Sequence, residues 1–197
     1  MRAFPRDAGA LDGASRGNPR AGHEGSAAAL WHDIPVAKRT DSPGTPATVA
    51  LEAAGIPFTP HAYEHDATTT NYGLEAATAL NLDPGQVFKT LLADVDGTLV
   101  VGIVPVTGKL DLKALAAAVG GKKAEMADPK LAERRTGYVV GGISPIGQKM
   151  VHTTVLDETA ELYDTVFVSG GRRGFDIELT PADLVRATGA IIAAIGR

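Results

Sequence analysis

The stretch Gly-Tyr-Val-Val-Gly-Gly-Ile-Ser-Pro-Ile-Gly-Gln-Lys, residues 137–149, breaks the pattern of the chain around it. Tyr138, Val139 and Val140 are strand formers, and two glycines stop them. Ser144-Pro145 and Gly147 then bend the chain. The reading is a central strand that runs into a glycine-rich loop. Such a loop can bring bare backbone N–H and C=O groups up to a ligand, because no Cβ stands in the way. The plainer reading is a tight turn between two core strands. The company the loop keeps tips the balance toward a ligand.

Upstream of it, Thr45-Pro46 is an N-cap followed by proline at the first helical position, and Gly55 ends that helix. Residues 56–65 read as a strand and 71–82 as a helix stopped by Asp83-Pro84-Gly85. Residues 86–95 and 98–106 form a hairpin across Asp96-Gly97, a dipeptide suited to a type I′ turn. Asp111 caps a helix that Gly120 ends, and Asp128-Pro129 starts another. Downstream come strands at 151–156 and 165–169, a Gly-Gly-Arg-Arg-Gly turn at 170–174, and a strand at 175–179. Thr180-Pro181 caps a last helix closed by Gly189, with a final strand at 190–195. Short strands interleaved with short helices predict an α+β fold: a mixed sheet curled into a partly closed β-barrel with helices outside.

Composition sets limits. Residues 1–44 hold six Gly and four Pro with no apolar period, which reads as a disordered tail before a domain at 45–197. There is no cysteine, so disulfides, thiolate metal sites and a cysteine nucleophile are excluded. The net charge of −4 argues against holding DNA or other nucleic acid through bulk charge. Residues 105–149 nevertheless carry eight Lys/Arg against four Asp/Glu, a local basic face that suits a selective RNA contact. No apolar run is long enough to cross a membrane, and no signal-peptide pattern opens the chain, which points to the cytosol.

Several motifs compete. Asp94-Val-Asp-Gly-Thr matches the signature of haloacid-dehalogenase-type phosphatases, with Asp94 as nucleophile, but hairpin chemistry explains it and no acidic metal pair lies downstream. Gly142-Ile-Ser-Pro-Ile-Gly147 begins like a phosphate-binding loop, yet Gln148-Lys149 replaces the Lys and hydroxyl that magnesium ligation needs. His61 and His65 lack the helical context of a metal site. Lys89 lies inside a strand flanked by apolar residues. Thr90 faces the opposite side of that strand, so the two share a site only where the strand's rim is open.

Taken together, these pieces resemble the YbaK/EbsC-type Cys-tRNA(Pro) and Cys-tRNA(Cys) deacylases, free-standing relatives of the editing domain inserted in bacterial prolyl-tRNA synthetases. The resemblance covers about residues 45–190 and rests on six segments in the family's order. These are Tyr63-Glu-His-Asp66, Val87-Phe-Lys-Thr-Leu-Leu92, Leu110-Asp-Leu-Lys113, Glu125-Met-Ala-Asp-Pro129, residues 136–149, and residues 168–179. Tyr72 stands where relatives often carry Phe. The resemblance implies a pocket for the 3′ end of an aminoacylated tRNA, with Lys89 as anchoring cation helped by Thr90. Gly141 and Gly142 would offer backbone contacts to the terminal ribose and ester, while Tyr63, Ser169 and Asp176 line the cavity.

The same resemblance implies lyase-type chemistry without metal or cofactor. The thiol of the substrate's own cysteinyl group attacks its ester and leaves as a cyclic thioester. A thiol with a pKa of about 8.5 is appreciably ionised near neutrality, whereas a hydroxyl is not. Prolyl-tRNA synthetase is the implied partner. An Ala-tRNA(Pro) deacylase of the same fold and a non-catalytic tRNA- or synthetase-binding module are the alternatives, beside the phosphatase.

Overall fold

The computed structural model describes residues 44–197. The tail read at 1–44 lies, but for Gly44, outside the described residues. Eight strands build one sheet: β1 (Thr59–Ala62), β2 (Val87–Val95), β3 (Thr98–Pro105), β4 (Ala124–Met126), β5 (Thr153–Asp157), β6 (Val166–Arg172), β7 (Phe175–Leu179) and β8 (Ile191–Ala193). Five helices accompany it: α1 (Pro46–Ala53), α2 (Tyr72–Ala79), α3 (Leu112–Ala118), α4 (Pro129–Thr136) and α5 (Pro181–Thr188). The strand order is β1-β7-β6-β2-β3-β5-β8, with β4 added to β2. The path has two free ends, so hydrogen bonds do not close the sheet into a barrel.

Each helix is short, and tertiary packing holds it rather than propensity. The α1 cap forms a reciprocal box: the Thr45 hydroxyl accepts the Thr48 N–H, and the Thr48 hydroxyl accepts the Thr45 N–H. Ala47 and Leu51 of α1 are then fully buried among Phe88, Ile103, Phe175, Ile177 and Leu184. Alternation along β3 sends Val104 to the other side, where Leu115 of α3, Val155 and Ile195 wait. Phe167 and Val87 meet Ala76 and Ala77 of α2. The β2–β3 hairpin turns on Asp96 (φ 49°) and Gly97 (φ 89°), the two positive dihedrals of a type I′ turn.

The expected strand at 138–140 does not exist. Gly137 leaves α4 in the left-handed region (φ 80°), which reverses the chain at once. Tyr138 then drops into the core and its hydroxyl donates to the Ile146 carbonyl at 2.8 Å. Val139 and Val140 remain exposed without a strand partner. The loop's ends meet where the Lys149 N–H donates to the Thr136 carbonyl at 2.8 Å and the Met150 N–H to the Arg135 carbonyl at 3.1 Å. Residues 137–149 thus form a compact loop packed on its own side chains. Propensity favours a strand; the cap and the tyrosine anchor override it. The strand read at 56–65 shrinks to β1, and β4 is a short strand that the sequence pattern does not mark.

Gly147 docks this loop on α1. It sits at φ 65°, and a Cβ there would stand 2.4 Å from the Pro46 carbonyl oxygen. Gly147→Ala should lower unfolding stability by about 2–4 kcal/mol, from left-handed strain plus overpacking. Gly120→Ala, at φ 74° with nothing within 4 Å, should cost only about 1 kcal/mol. Urea midpoints of the two variants would check the difference.

Candidate active site

The site begins with a gap in the sheet. On one edge, β2 pairs with β3 along its length. On the other edge it pairs with β6 only at Val87 and Phe88, and with β4 only at Ala93, Asp94 and Val95. Residues 89–92 lie between, with that edge open. The Val87 carbonyl accepts from Val106 on the β3 side, and the Leu92 carbonyl accepts from Ala127 on the β4 side. Alternation therefore turns the backbone N–H and C=O of Thr90 toward the gap. The rim that Lys89 and Thr90 need in order to share a site is open.

A cavity of about 440 Å³ occupies this gap. Its lining includes Tyr63, Lys89, Thr90, Gly141, Ser169 and Asp176, which five separate segments of the chain bring together. Gly142, assigned a backbone contact with the substrate, is not part of the lining. Its Cα packs on β6, and a Cβ would meet the Arg172 Cα at 2.8 Å. Asp94 also lies outside. Its carboxylate accepts the Gly97 N–H at 2.7 Å, as a turn residue does.

The Lys89 ammonium donates to the Gly108 carbonyl at 2.6 Å and lies 3.4 Å from that of Val106. Partial burial, and secondarily the charge of Lys109, lower its pKa. The Thr90 hydroxyl oxygen is buried and has no hydrogen-bond partner among the described residues. An orphan of this kind costs about 1–3 kcal/mol unless something enters to satisfy it. Ser169 and Asp176 are direct cross-strand partners, so their side chains project from one face. Asp176 is buried, and loss of solvent pushes its carboxyl up to about 7. Tyr63 is anchored by its N–H to the Gly174 carbonyl at 3.0 Å. Burial, then the Asp176 and Glu75 charges, raise its phenol pKa and keep it a neutral donor.

The three described histidines, His61, His65 and His152, are occupied elsewhere. His61 meets Glu178 at 2.8 Å, and His65 meets Glu75 at 3.0 Å. His152 lies 3.0 Å from the Gln148 carboxamide, and burial lowers its pKa. Asn71, Tyr72, Met126, Ala127 and Ile143 also line the cavity, and sequence reasoning assigned them no part. The signals available were the Tyr72 position, where relatives often carry Phe, and the segments 125–129 and 136–149 that hold Met126, Ala127 and Ile143.

The aminoacyl-tRNA editing domain model matches residues 67–187. EbsC of Enterococcus faecalis, which carries the provisional name Cys-tRNA(Pro)/Cys-tRNA(Cys) deacylase, is 38% identical over 162 residues. That match spans 81% of this chain and 98% of the relative. The chain belongs to the aminoacyl-tRNA editing domain family. A crystal structure described, also provisionally, as a trans-editing enzyme for prolyl tRNA synthetase superposes with a TM-score of 0.70 at 27% identity. It covers 77% of this chain and 95% of that one. Hypothetical protein APE2540, at 24% identity and a TM-score of 0.70, shares the fold. The editing-domain match runs through the gap, the glycine loop and the Ser169–Asp176 pair alike. Among the described residues, no helix of this editing domain is long and apolar enough to cross a membrane.

The raised carboxyl makes stability depend on pH. Between about pH 4 and 7 the folded state holds a proton on Asp176 that the unfolded chain has lost, so stability falls as pH rises through that window. Asp176→Asn should remove this slope and raise stability at pH 8 by on the order of 2–4 kcal/mol. Denaturant titrations of both proteins at pH 5 and 8 would read it; parallel pH profiles would show that Asp176 is not protonated on folding.

Proposed function

We propose that residues 45–197 form a trans-editing deacylase that clears cysteine from tRNA(Pro), and from tRNA(Cys), through the substrate's own thiol. The observation that carries this reading is the lining itself. The cavity gathers a cation, a neutral phenol, a buried carboxyl and bare glycine backbone, with neither cysteine nor histidine among them. Among the described residues no histidine lines the cavity to activate the Thr90 and Ser169 hydroxyls, so the lining offers positioning and dipoles. Lys89 anchors the terminal nucleotide at the mouth, and the Thr90 hydroxyl and backbone bond the ribose or ester through the open edge.

In the step itself, the cysteinyl sulfur loses its proton and attacks the ester carbonyl carbon. The carbonyl oxygen takes the negative charge, and the C–O bond to the ribose breaks. The ribose oxygen gains a proton, and a cyclic thioester leaves. Asp176, with a proton affinity near neutrality, is the lining group suited to accept the thiol proton. Selectivity then comes from substrate chemistry, because one methylene discriminates by only about 1–3 kcal/mol in a pocket. The reading places the protein in the cytosol beside prolyl-tRNA synthetase, which would supply tRNA selection that a modest basic face does not.

Release of cysteine and of alanine from charged tRNA(Pro) tests this, with the whole chain and with residues 45–197. Cysteine should leave at least about 10-fold faster, and both forms should be active. Equal rates for the two amino acids would exclude thiol assistance and favour an alanyl-specific or hydrolytic deacylase. Lys89→Ala should lose about 100-fold in kcat/KM; unchanged release would leave a binding module. Magnesium-dependent turnover of a phosphomonoester that disappears in Asp94→Asn would instead make the protein a phosphatase.

A further inference from the structure

The loop that carries Gly141 contains one peptide whose orientation is a free variable. The Gly142 N–H donates to the Val139 carbonyl at 2.9 Å, closing a four-residue turn. Gly141, third in that turn, sits at φ 88°, and Val140 is not at positive φ. This is a type II turn. Types I and II differ by a rotation of about 180° of the central peptide, here the one joining Val140 to Gly141. One orientation sends the carbonyl outward and the N–H inward; the other reverses both.

Arg173 selects between them. Its Nε and Nη2 both donate to the Val140 carbonyl oxygen, at 3.1 and 2.8 Å. On the preceding peptide, the Val140 N–H donates to Glu133 Oε1 at 2.9 Å. The guanidinium also stands over the Tyr72 ring, 4.9 Å from its centroid. That ring fills the place of a Gly141 side chain, since a Cβ there would lie 2.7 Å from it. Arg173 is exposed and is not part of the cavity lining, whereas Gly141 is. In a trans peptide the C=O and the following N–H point in opposite directions. With the Val140 carbonyl held by Arg173, which lies outside the lining, the Gly141 N–H is turned away from Arg173.

We propose that Arg173 is a positioning residue that locks the Val140–Gly141 peptide so that the Gly141 N–H can bind the oxyanion formed on the ester carbonyl. The inference rests on the deacylase reading for its chemistry, but not for its geometry. Without Arg173 the Val140 carbonyl loses its partner, and the type I orientation, which glycine adopts as readily, competes with type II. The cavity then meets a carbonyl oxygen where it needs a donor. A lysine at 173 offers one donor cluster to Val140 but cannot also lay a planar cation on Tyr72, so it restores only part of the effect.

The test uses the whole chain, with deacylation of Cys-tRNA(Pro) and crystal structures of the wild type, Arg173→Ala and Arg173→Lys. In Arg173→Ala, kcat should fall about 100-fold with KM within about 2-fold, the lower end of what loss of one oxyanion donor costs. The melting temperature should barely move, and Gly141 φ should pass from positive to negative. Arg173→Lys should fall between, and it carries the same reading if the alanine variant does not fold. An unchanged kcat overturns the proposal, as does a lost kcat with the Gly141 peptide unmoved. A rise in KM alone that salt abolishes would make Arg173 a phosphate contact and overturn it too. If the wild type releases no cysteine, the deacylase reading fails, while the Gly141 dihedral still decides whether Arg173 sets the turn.

Discussion

The structure depends on a single strand serving two neighbours on one edge. β2 pairs with β6 at its start and with β4 at its end. Neither partner covers the middle. An interior strand with bare backbone in the middle of a sheet is costly, since buried N–H and C=O groups lose water without gaining a partner. Here the bare segment opens into a cavity that a ligand or water can enter. The same gap lets neighbouring residues on opposite faces, Lys89 and Thr90, reach one space. A continuous sheet would have put them on opposite sides of a wall.

The glycine loop covers the cavity from another direction, and its geometry is held from outside. Tyr138 buries its ring and bonds Ile146, Gly147 rests on the first residues of α1, and Gly142 lies against β6. The Thr45 hydroxyl donates to the Gly170 carbonyl at 2.6 Å and binds the start of α1 to β6. The loop, α1 and the β6–β7 hairpin are thereby joined to one another. Glycine is required at these positions by close approach as much as by dihedral angle. Gly141 lines the cavity with no Cβ between its backbone and that space.

Asp176 shows how burial and function trade against each other. Removing a carboxyl from water raises its pKa and destabilises the folded protein above neutrality. A stable fold has no use for that arrangement, and an asparagine would serve the packing as well. A buried carboxyl whose pKa is raised within a cavity marks a candidate functional group. The orphan hydroxyl of Thr90 is a second such cost at the same place.

Much of this was legible along the chain. The capping residues Thr45, Asn71, Asp111, Asp128 and Thr180 begin their helices as local chemistry requires, and Asp96-Gly97 turns its hairpin. These signals act within a few residues, so a linear reading captures them. The family's segments likewise marked Lys89, Thr90, Gly141, Ser169 and Asp176 without any contact being visible. Tertiary structure alone decided that 138–140 is no strand, because a helix cap and a buried tyrosine outweigh three β-formers. It alone placed Gly142 against β6, opened the edge of β2, and set Arg173 on a carbonyl 33 residues earlier in the chain. Local sequence specifies dihedrals and caps through short-range sterics and hydrogen bonds. Which edge stays unpaired, and which way one peptide faces, depend on partners that only folding brings together.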